Sequence, residues 1–297
     1  MKTRLSGTAL TVGLALALLS GATGRAQDQR APDTQRPAPK AASAKKAGRE
    51  PRVVLDVPGL TEKLKSTKVP DIRSALEEIK SAGKDGAPLA AEVESLLRSG
   101  PDVELAKTAL ETLGSIGVAS SSAAMRPYAR HRKQELRLAA AKALMRTGGD
   151  DAVASLREAL SDPDPVVRGV AAAGLGALKR RELIGDLFKA LDHKVIEAAS
   201  SIGQLCSPEQ CEQFAAKIGV LEFDVMTSGF DQILFRPTSD MPDEEKIRIV
   251  GRIRELGTGE AHKYLRDVQS RWQSGGSPRV KQSIDQAVMA TGGSVGP

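Results

Sequence analysis

The sequence predicts an all-α solenoid, a stack of short helical hairpins, and two observations support this prediction. The first is the stretch 164–192, DPVVRGVAAAGLGALKRRELIGDLFKALD, in which apolar residues recur twice at the spacing of one helix face. The second is that this pattern recurs on both sides of the stretch at a nearly constant step. Repeats of about thirty residues with two helices each are typical of solenoids.

The stretch 164–192 predicts two antiparallel helices. Asp164 is placed to cap the first helix, and Pro165 follows at the first helical position, where its missing N–H costs nothing. The second helix begins near Arg181. Neither helix is long enough to be stable alone in water, so each must bury its apolar face. These faces carry Val167, Val170, Ala171, Leu175 and Leu178 in the first helix, and Leu183, Ile184, Leu187, Phe188 and Leu191 in the second.

A step of 31 residues relates this hairpin to the one before it, so that Arg137 and Leu144 match Arg168 and Leu175. A further step of the same size reaches Ala106, and downstream the step shortens to 27 residues. The pattern weakens after residue 220, where a helix interrupted near Ser228-Gly229 is predicted. The predicted units are 69–98, 101–132, 134–162, 164–192, 194–220, an irregular stretch 222–241, a helical pair 242–273 and a final helix 277–290.

The segments VVRGVAAAGLGAL and ELRLAAAKALMRTG resemble the first helix of bacterial HEAT repeats, with its V-R-x-x-A-A-x-A-L-G pattern. This resemblance implies a right-handed α-solenoid and, in most members, a protein-binding scaffold, although a few HEAT-like proteins are lyases or DNA-repair enzymes. The arginine of the family is present as Arg137 and Arg168 and absent at Ala106. A ladder of Arg–Asp pairs along the stack is therefore expected to be incomplete.

The N-terminal segment 1–26 has the features of a secretory signal peptide. Lys2 and Arg4 precede a mostly apolar run, and small residues allow cleavage after Ala26, with Ala22 as the alternative. An uncleaved anchor is the competing interpretation, but the apolar run is short for a membrane span. The chain is therefore predicted to be exported, to a bacterial periplasm or the extracellular space. No other stretch is long enough to cross a membrane.

Residues 27–52 are polar and rich in Pro, Ala, Gln and basic side chains, which predicts a disordered linker. The whole chain has a formal net charge of +6. The predicted signal peptide accounts for +3 of this charge and the linker for +4, which leaves −1 for residues 53–297, the predicted solenoid domain. The basic character thus gives no support for nucleic-acid binding by the solenoid. The linker is expected to serve as a solvated spacer, and weak contact with an anionic surface is the alternative.

Two features of the N-terminal half stand apart from the repeat. Residues 53–60 are apolar and predict a strand-like cap at the entrance to the stack. In the unit 101–132, Ser120–Ser122 are placed to cap the second helix, and Pro127 should kink or delay it. Around this proline lies a basic cluster that predicts an anion or acidic-partner patch, or alternatively solvent-exposed side chains near a helix C-terminus. The cluster contains Arg126, Tyr128, Arg130, His131, Arg132 and Lys133.

Cys206 and Cys211 are the only cysteines. Between them, Ser207 and Gln210 have the spacing of a capping box, which places the two cysteines at the positions of a hydrophobic staple. In an oxidising compartment they are candidates for a disulfide, and two buried thiols are the alternative. No metal site or cofactor is predicted, since the sequence shows no suitable ligand spacing, nucleophile elbow or phosphate-binding glycine loop.

These features predict a non-enzymatic scaffold that binds a protein partner through the concave face of the solenoid, which second helices usually line. The outward candidates on those helices are Arg157, Glu158, Lys189, His193, Glu212 and Lys217. One alternative is binding of an anionic envelope polymer through the linker and the basic cluster. Another is a HEAT-like enzyme or lyase subunit, which would need an enclosed pocket. Six of the eight aromatic residues lie between Phe214 and Trp272 and predict either an aromatic groove or a bulkier core.

Overall fold

The computed structural model describes residues 55–272 and 275–292, so the predicted signal peptide and linker lie outside the described residues. The described chain contains α-helices, three 3-10 segments and no strand longer than an isolated bridge, which confirms the all-α prediction. The helices are α1 (Val57–Leu64), α2 (Val69–Ala82), α3 (Ala90–Arg98), α4 (Val103–Ile116), α5 (Ser122–Ala129), α6 (Gln134–Thr147), α7 (Asp150–Ala159), α8 (Pro165–Ala177), α9 (Ile184–Asp192), α10 (Glu197–Leu205), α11 (Pro208–Ala215), α12 (Phe223–Leu234), α13 (Asp243–Glu255), α14 (Gly259–Arg271) and α15 (Pro278–Gly292).

The helices form two layers, which confirms the predicted solenoid. In the first layer each helix packs against the next of the series α2, α4, α6, α8, α10, α12 and α14. The second layer contains α3, α5, α7, α9, α11, α13 and α15, and it is less continuous, because the backbones of α7 and α9 lie farther apart than those of successive helices in the first layer. The buried apolar side chains of both layers form one continuous core.

Small residues allow the helices of the first layer to approach closely. A Cβ atom on Gly114 of α4 would lie 2.9 Å from the Cα atom of Ala143 in α6. Buried hydroxyl groups link the same layer, since Ser201 of α10 donates to the carbonyl oxygen of Ala172 in α8 at 2.9 Å. Short side chains thus fix the spacing of this layer, and the longer side chains fill the space between the layers.

The central hairpin consists of α8 and α9. The Asp164 carboxylate accepts hydrogen bonds from the backbone N–H groups of Val166 at 2.9 Å and Val167 at 3.1 Å, so it caps α8 as predicted. Leu175 and Leu187 are fully buried. The second helix starts later than expected, because a 3-10 segment at 181–183 precedes α9.

Two local predictions in the N-terminal half are wrong. The expected strand-like cap at 53–60 is replaced over residues 57–60 by the start of α1, where the Asp56 side chain accepts from the N–H group of Gly59 at 3.1 Å. The serines before α5 do not cap that helix, and a 3-10 segment leads into it instead. Ser121 donates its hydroxyl proton to Glu94 at 2.7 Å, which ties the start of α5 to α3.

The C-terminal part of the stack departs from the prediction at α12. The helix predicted to break near Ser228-Gly229 is continuous as α12 and belongs to the first layer, packed against α10. A Cβ atom on Gly229 would lie 2.5 Å from the Phe214 ring and 2.7 Å from the carbonyl oxygen of Ala199, so this glycine permits a close helix crossing. Consequently α13 and α15 occupy the second layer with α11, so that the two helices of the predicted pair 242–273, α13 and α14, lie in opposite layers and contact each other.

Cys206 and Cys211 are joined by a disulfide between the end of α10 and the first turns of α11. Both residues are buried. The capping box between them is present, with Ser207 and Gln210 each bonding the backbone N–H group of the other. The predicted staple geometry therefore brings the two sulfur atoms together at the start of α11.

We expect the purified full-length chain to show no free thiol after unfolding without reductant and two after unfolding with it. Reduction should lower the free energy of unfolding by about 2 kcal/mol, because the bond closes a short loop and constrains the unfolded chain only modestly. Thiol titration in denaturant and urea unfolding under both conditions measure these two effects. Two reactive thiols without reductant would show that the cysteines are free.

Candidate functional site

The second layer carries two neighbouring grooves that lie open to the surface. The first, of about 390 Å³, is lined by residues from α5, α7 and the turns that follow these helices. The second, which we call the α7–α9 groove, has a volume of about 930 Å³. It runs between α7, the turn at 160–163 and α9. Four of the six outward candidates line it, namely Arg157, Glu158, Lys189 and His193.

The other two outward candidates do not line the α7–α9 groove. Lys217 forms an ion pair with Asp192 at 2.5 Å, and Glu212 pairs with Arg252 of α13. Their side chains are therefore engaged between neighbouring repeats. The candidate surface is accordingly smaller than the sequence predicted, and it is centred on α7 and α9.

A largely buried ion pair, with Asp162 buried and Arg137 partly buried, lies at the base of the first groove. The Arg137 guanidinium donates through Nε to Asp162 Oδ2 at 2.7 Å and through Nη2 to Oδ1 at 3.0 Å. Its Nη1 atom donates to the carbonyl oxygens of His131 at 3.1 Å and Arg132 at 3.3 Å. The side chains of Arg137 and Asp162 are only 13% and 5% exposed. The hydrogen bonds to Asp162 raise the pKa of Arg137 above its usual value, against the opposing effect of burial.

The basic cluster does not converge on one point. Arg126 pairs with Asp151 at 3.5 Å, and Arg130 donates to Glu158 at 2.5–2.7 Å. Tyr128 is partly buried, and its hydroxyl group donates to the carbonyl oxygen of Leu97 at 2.6 Å. His131 accepts from the N–H group of Lys133 at 3.1 Å, while Arg132 and Lys133 are exposed. Much of the positive charge is thus used in links to α7, and the cluster is a weak candidate for an anion site.

Arg168 is a residue of the α7–α9 groove that the sequence analysis did not select as a site residue. Its Nη1 atom donates to the carbonyl oxygens of Asp162 at 2.8 Å and Pro163 at 3.1 Å, in the manner of Arg137. The step of 31 residues that relates Arg137 to Arg168 relates Asp162 to His193. The alignment therefore indicates that Arg168 lacks the acidic partner that Arg137 has.

A comparison with family models matches the repeats in the middle of the chain. Residues 90–175 match the family model described as HEAT repeats, and this range covers α3 to most of α8. This part of the chain is similar to HEAT repeats. The resemblance noted in the sequence is thereby confirmed, and the matched range includes both the Arg137–Asp162 pair and Arg168. A comparison with curated proteins gives no match.

Several solved structures are similar to this one at low sequence identity. The complex of CpcE and CpcF of phycocyanin lyase from a Nostoc species is 14% identical, with a TM-score of 0.46, covering 84% of this chain and 100% of that chain. A designed armadillo repeat protein is 15% identical, with a TM-score of 0.39, over 80% of this chain and 100% of that one. Human deoxyhypusine hydroxylase is 13% identical, with a TM-score of 0.36, over 80% and 96%.

Half of the aromatic residues of the C-terminal repeats contribute to the core. Phe214 and Phe230 are fully buried and pack edge to face with ring centroids 5.3 Å apart. Tyr264 is also buried, its hydroxyl group donates to Asp231 at 2.9 Å, and burial raises its pKa well above the usual value. Only Phe223 and Tyr264 reach a shallow surface groove between α12 and α14. The bulkier-core interpretation therefore describes three of the six, because Phe235 is exposed and Phe223 and Trp272 are only partly buried.

The described parts of the helical stack show no assembly of metal ligands. Across residues 55–272 and 275–292, no three His, Cys, Asp or Glu side chains are grouped closely enough to hold a metal ion. Within the same ranges, none of the helices combines the length and the apolar character that crossing a membrane requires. The α7–α9 groove is the largest of the grooves described above, and it is charged and open to the surface.

Proposed function

We propose that this helical-repeat protein is an exported, non-catalytic scaffold that binds another protein through the second layer, the expected concave face. The observation that carries this proposal is the α7–α9 groove, which is open and lined by side chains of two successive repeats. Open grooves of this kind suit an extended protein segment better than they suit catalysis, which uses enclosed sites with convergent polar groups.

Export to a bacterial periplasm or the extracellular space is part of the proposal. It is supported by the signal-like sequence at 1–26 and by the disulfide between Cys206 and Cys211, a bond that persists in oxidising compartments. The linker at 27–52 would then separate the solenoid from the processed N-terminus. No cofactor is required for this role.

The two alternative functions have less support. Binding of an anionic polymer through the basic cluster is weakened because Arg126 and Arg130 already pair with Asp151 and Glu158. An enzymatic role would need a set of convergent catalytic groups in a pocket, and the α7–α9 groove offers charged side chains on an open surface.

A pull-down comparing matched charge reversals tests the proposal. Lys189→Glu changes an exposed residue of the α7–α9 groove, and Lys142→Glu changes an exposed residue of the first layer. Each chain, together with one that starts at Val53, is used as bait in extracts of the cell envelope. We expect the same partner with the unchanged chain, the Val53 chain and Lys142→Glu, and its loss with Lys189→Glu. Loss only on removal of the linker would favour an electrostatic anchor instead.

A further inference from the structure

Two successive HEAT repeats hold their arginines in the same way, but only one of the arginines has an acidic partner. Arg137 binds the carboxylate of Asp162, whereas the matching position in the next repeat is His193. None of the carboxylates in the described ranges lies within 4.0 Å of the Arg168 guanidinium. We propose that Arg168 binds a carboxylate supplied by an acidic segment of a partner protein; this inference rests on the proposed scaffold function.

Backbone carbonyl oxygens fix the position of the Arg168 guanidinium before any ligand binds. Its Nη1 atom is fixed by the carbonyl oxygens of Asp162 and Pro163, at 2.8 and 3.1 Å, and the side chain is partly buried. Arg137 has the same anchoring through Nη1 and uses Nε and Nη2 for the carboxylate of Asp162. Nε and Nη2 of Arg168 are therefore the atoms that would form a bidentate pair with an incoming carboxylate.

The charge of the α7–α9 groove favours an acidic ligand. The acidic side chains that line it are already paired, Asp186 with Arg157, Glu158 with Arg130 and Asp162 with Arg137. Asp164, close to Arg168 in sequence, is occupied in capping α8. Among the charged groups that line the groove, Arg168 and Lys189 form no ion pair in the described structure. The linker of this chain is basic, so it is a poor match for the groove.

The size of the groove favours a polypeptide segment over a small free anion. Its volume of about 930 Å³ compares with about 390 Å³ in the neighbouring groove, where the ion pair is complete. Apolar parts of its wall come from Ala154, Leu160, Pro163 and Ala190. An extended segment can place one acidic side chain on Arg168 and rest its backbone and neighbouring side chains against this wall.

The test is an NMR titration of the full-length chain that follows the arginine Nε–Hε resonances. The probes are a capped peptide, acetyl-Gly-Glu-Gly-Glu-Gly-Glu-amide, its Gln counterpart, and glutarate as a free dicarboxylate. We expect the Arg168 resonance to shift and saturate with the Glu peptide, while that of Arg137, already paired, stays in place. The Glu peptide should bind roughly tenfold more tightly than the Gln peptide, because charged hydrogen bonds are the stronger ones.

Variants separate this inference from the scaffold proposal. Arg168→Gln should weaken Glu-peptide binding roughly tenfold or more, and Arg168→Lys should restore only part of it because lysine cannot form the bidentate pair. His193→Asp places a carboxylate in the groove that competes with the peptide for Arg168. This variant should also weaken peptide binding, and circular dichroism should show an intact fold.

An unshifted Arg168 resonance, or equal affinity for both peptides, would overturn the carboxylate site. Glutarate binding as tightly as the Glu peptide would overturn the assignment to a protein segment. If Arg168→Gln recovers the partner as well as the unchanged chain does, the scaffold function holds but Arg168 is not its binding site. If Lys189→Glu loses the partner and the Arg168 resonance does not shift with the Glu peptide, the partner contacts another part of the groove.

Discussion

Replacing Asp162 by Ala is expected to reduce the free energy of unfolding by about 2–3 kcal/mol, because it leaves the partly buried Arg137 without its counter-charge and its two charged hydrogen bonds. The two side chains are 5% and 13% exposed, and Asp162 accepts two hydrogen bonds from the arginine. It also accepts from the backbone N–H group of Asp164 at 2.9 Å, which orders the turn before α8. Urea unfolding followed by circular dichroism measures the loss.

Asp151→Ala is the matched control for this prediction. Asp151 also pairs with an arginine, Arg126, but both side chains are 44% exposed. Its removal should change the free energy of unfolding by less than about 1 kcal/mol, as for other surface ion pairs. If both variants lose a similar amount of unfolding free energy, the Arg137–Asp162 pair does not stabilise the contact between α6 and the turn after α7 more than a surface ion pair would.

Replacing Gly203 by Ala is expected to cost about 3 kcal/mol, at the upper end of the usual range for overpacking. A Cβ atom at this position of α10 would overlap the carbonyl oxygen of Gly229 and lie 2.9 Å from Cβ of Gln232 in α12. Relief would require the two helices to separate, because backbone atoms cannot rotate away. The higher helix propensity of alanine recovers only about 1 kcal/mol.

Gly251→Ala is expected to increase the stability of the fold, the opposite of the effect expected for Gly203→Ala. Gly251 lies within α13, and a Cβ atom there would meet nothing within 4 Å. The substitution should therefore raise the free energy of unfolding by about 0.5–1 kcal/mol through helix propensity alone. Thermal and urea unfolding of the two variants should give changes of opposite sign. A gain in stability from Gly203→Ala would contradict the close α10–α12 crossing.

The layered fold was predictable because its cause is local and periodic. Apolar residues at helical spacing in α8 and α9 must be buried, and the repeated step supplies the neighbours that bury them. The cap at Asp164 and the capping box at Ser207 were predictable for the same reason, since each depends on residues within one turn.

The remaining features depend on contacts between segments that are distant in sequence. The place of α12 in the first layer follows from how closely Gly229 approaches α10, which no local pattern reports. The basic cluster was predicted as a patch because sequence proximity does not show that Arg130 reaches Glu158, 28 residues away. Arg168 was predictable in part. The repeat alignment shows that His193 replaces the aspartate that pairs with Arg137, but only the structure shows that no other carboxylate pairs with Arg168 in the described ranges.

Site-specific photo-crosslinking in the cells that produce this protein tests most directly whether the second layer binds a partner. A photoreactive amino acid replaces either Ala154, exposed in the α7–α9 groove, or Ala173, exposed on α8 of the first layer. We expect one partner protein to be crosslinked from position 154 and not from position 173, and the product to be lost in the Arg168→Gln background. Crosslinking from position 173 alone, or equally from both positions, would contradict a binding surface on the second layer.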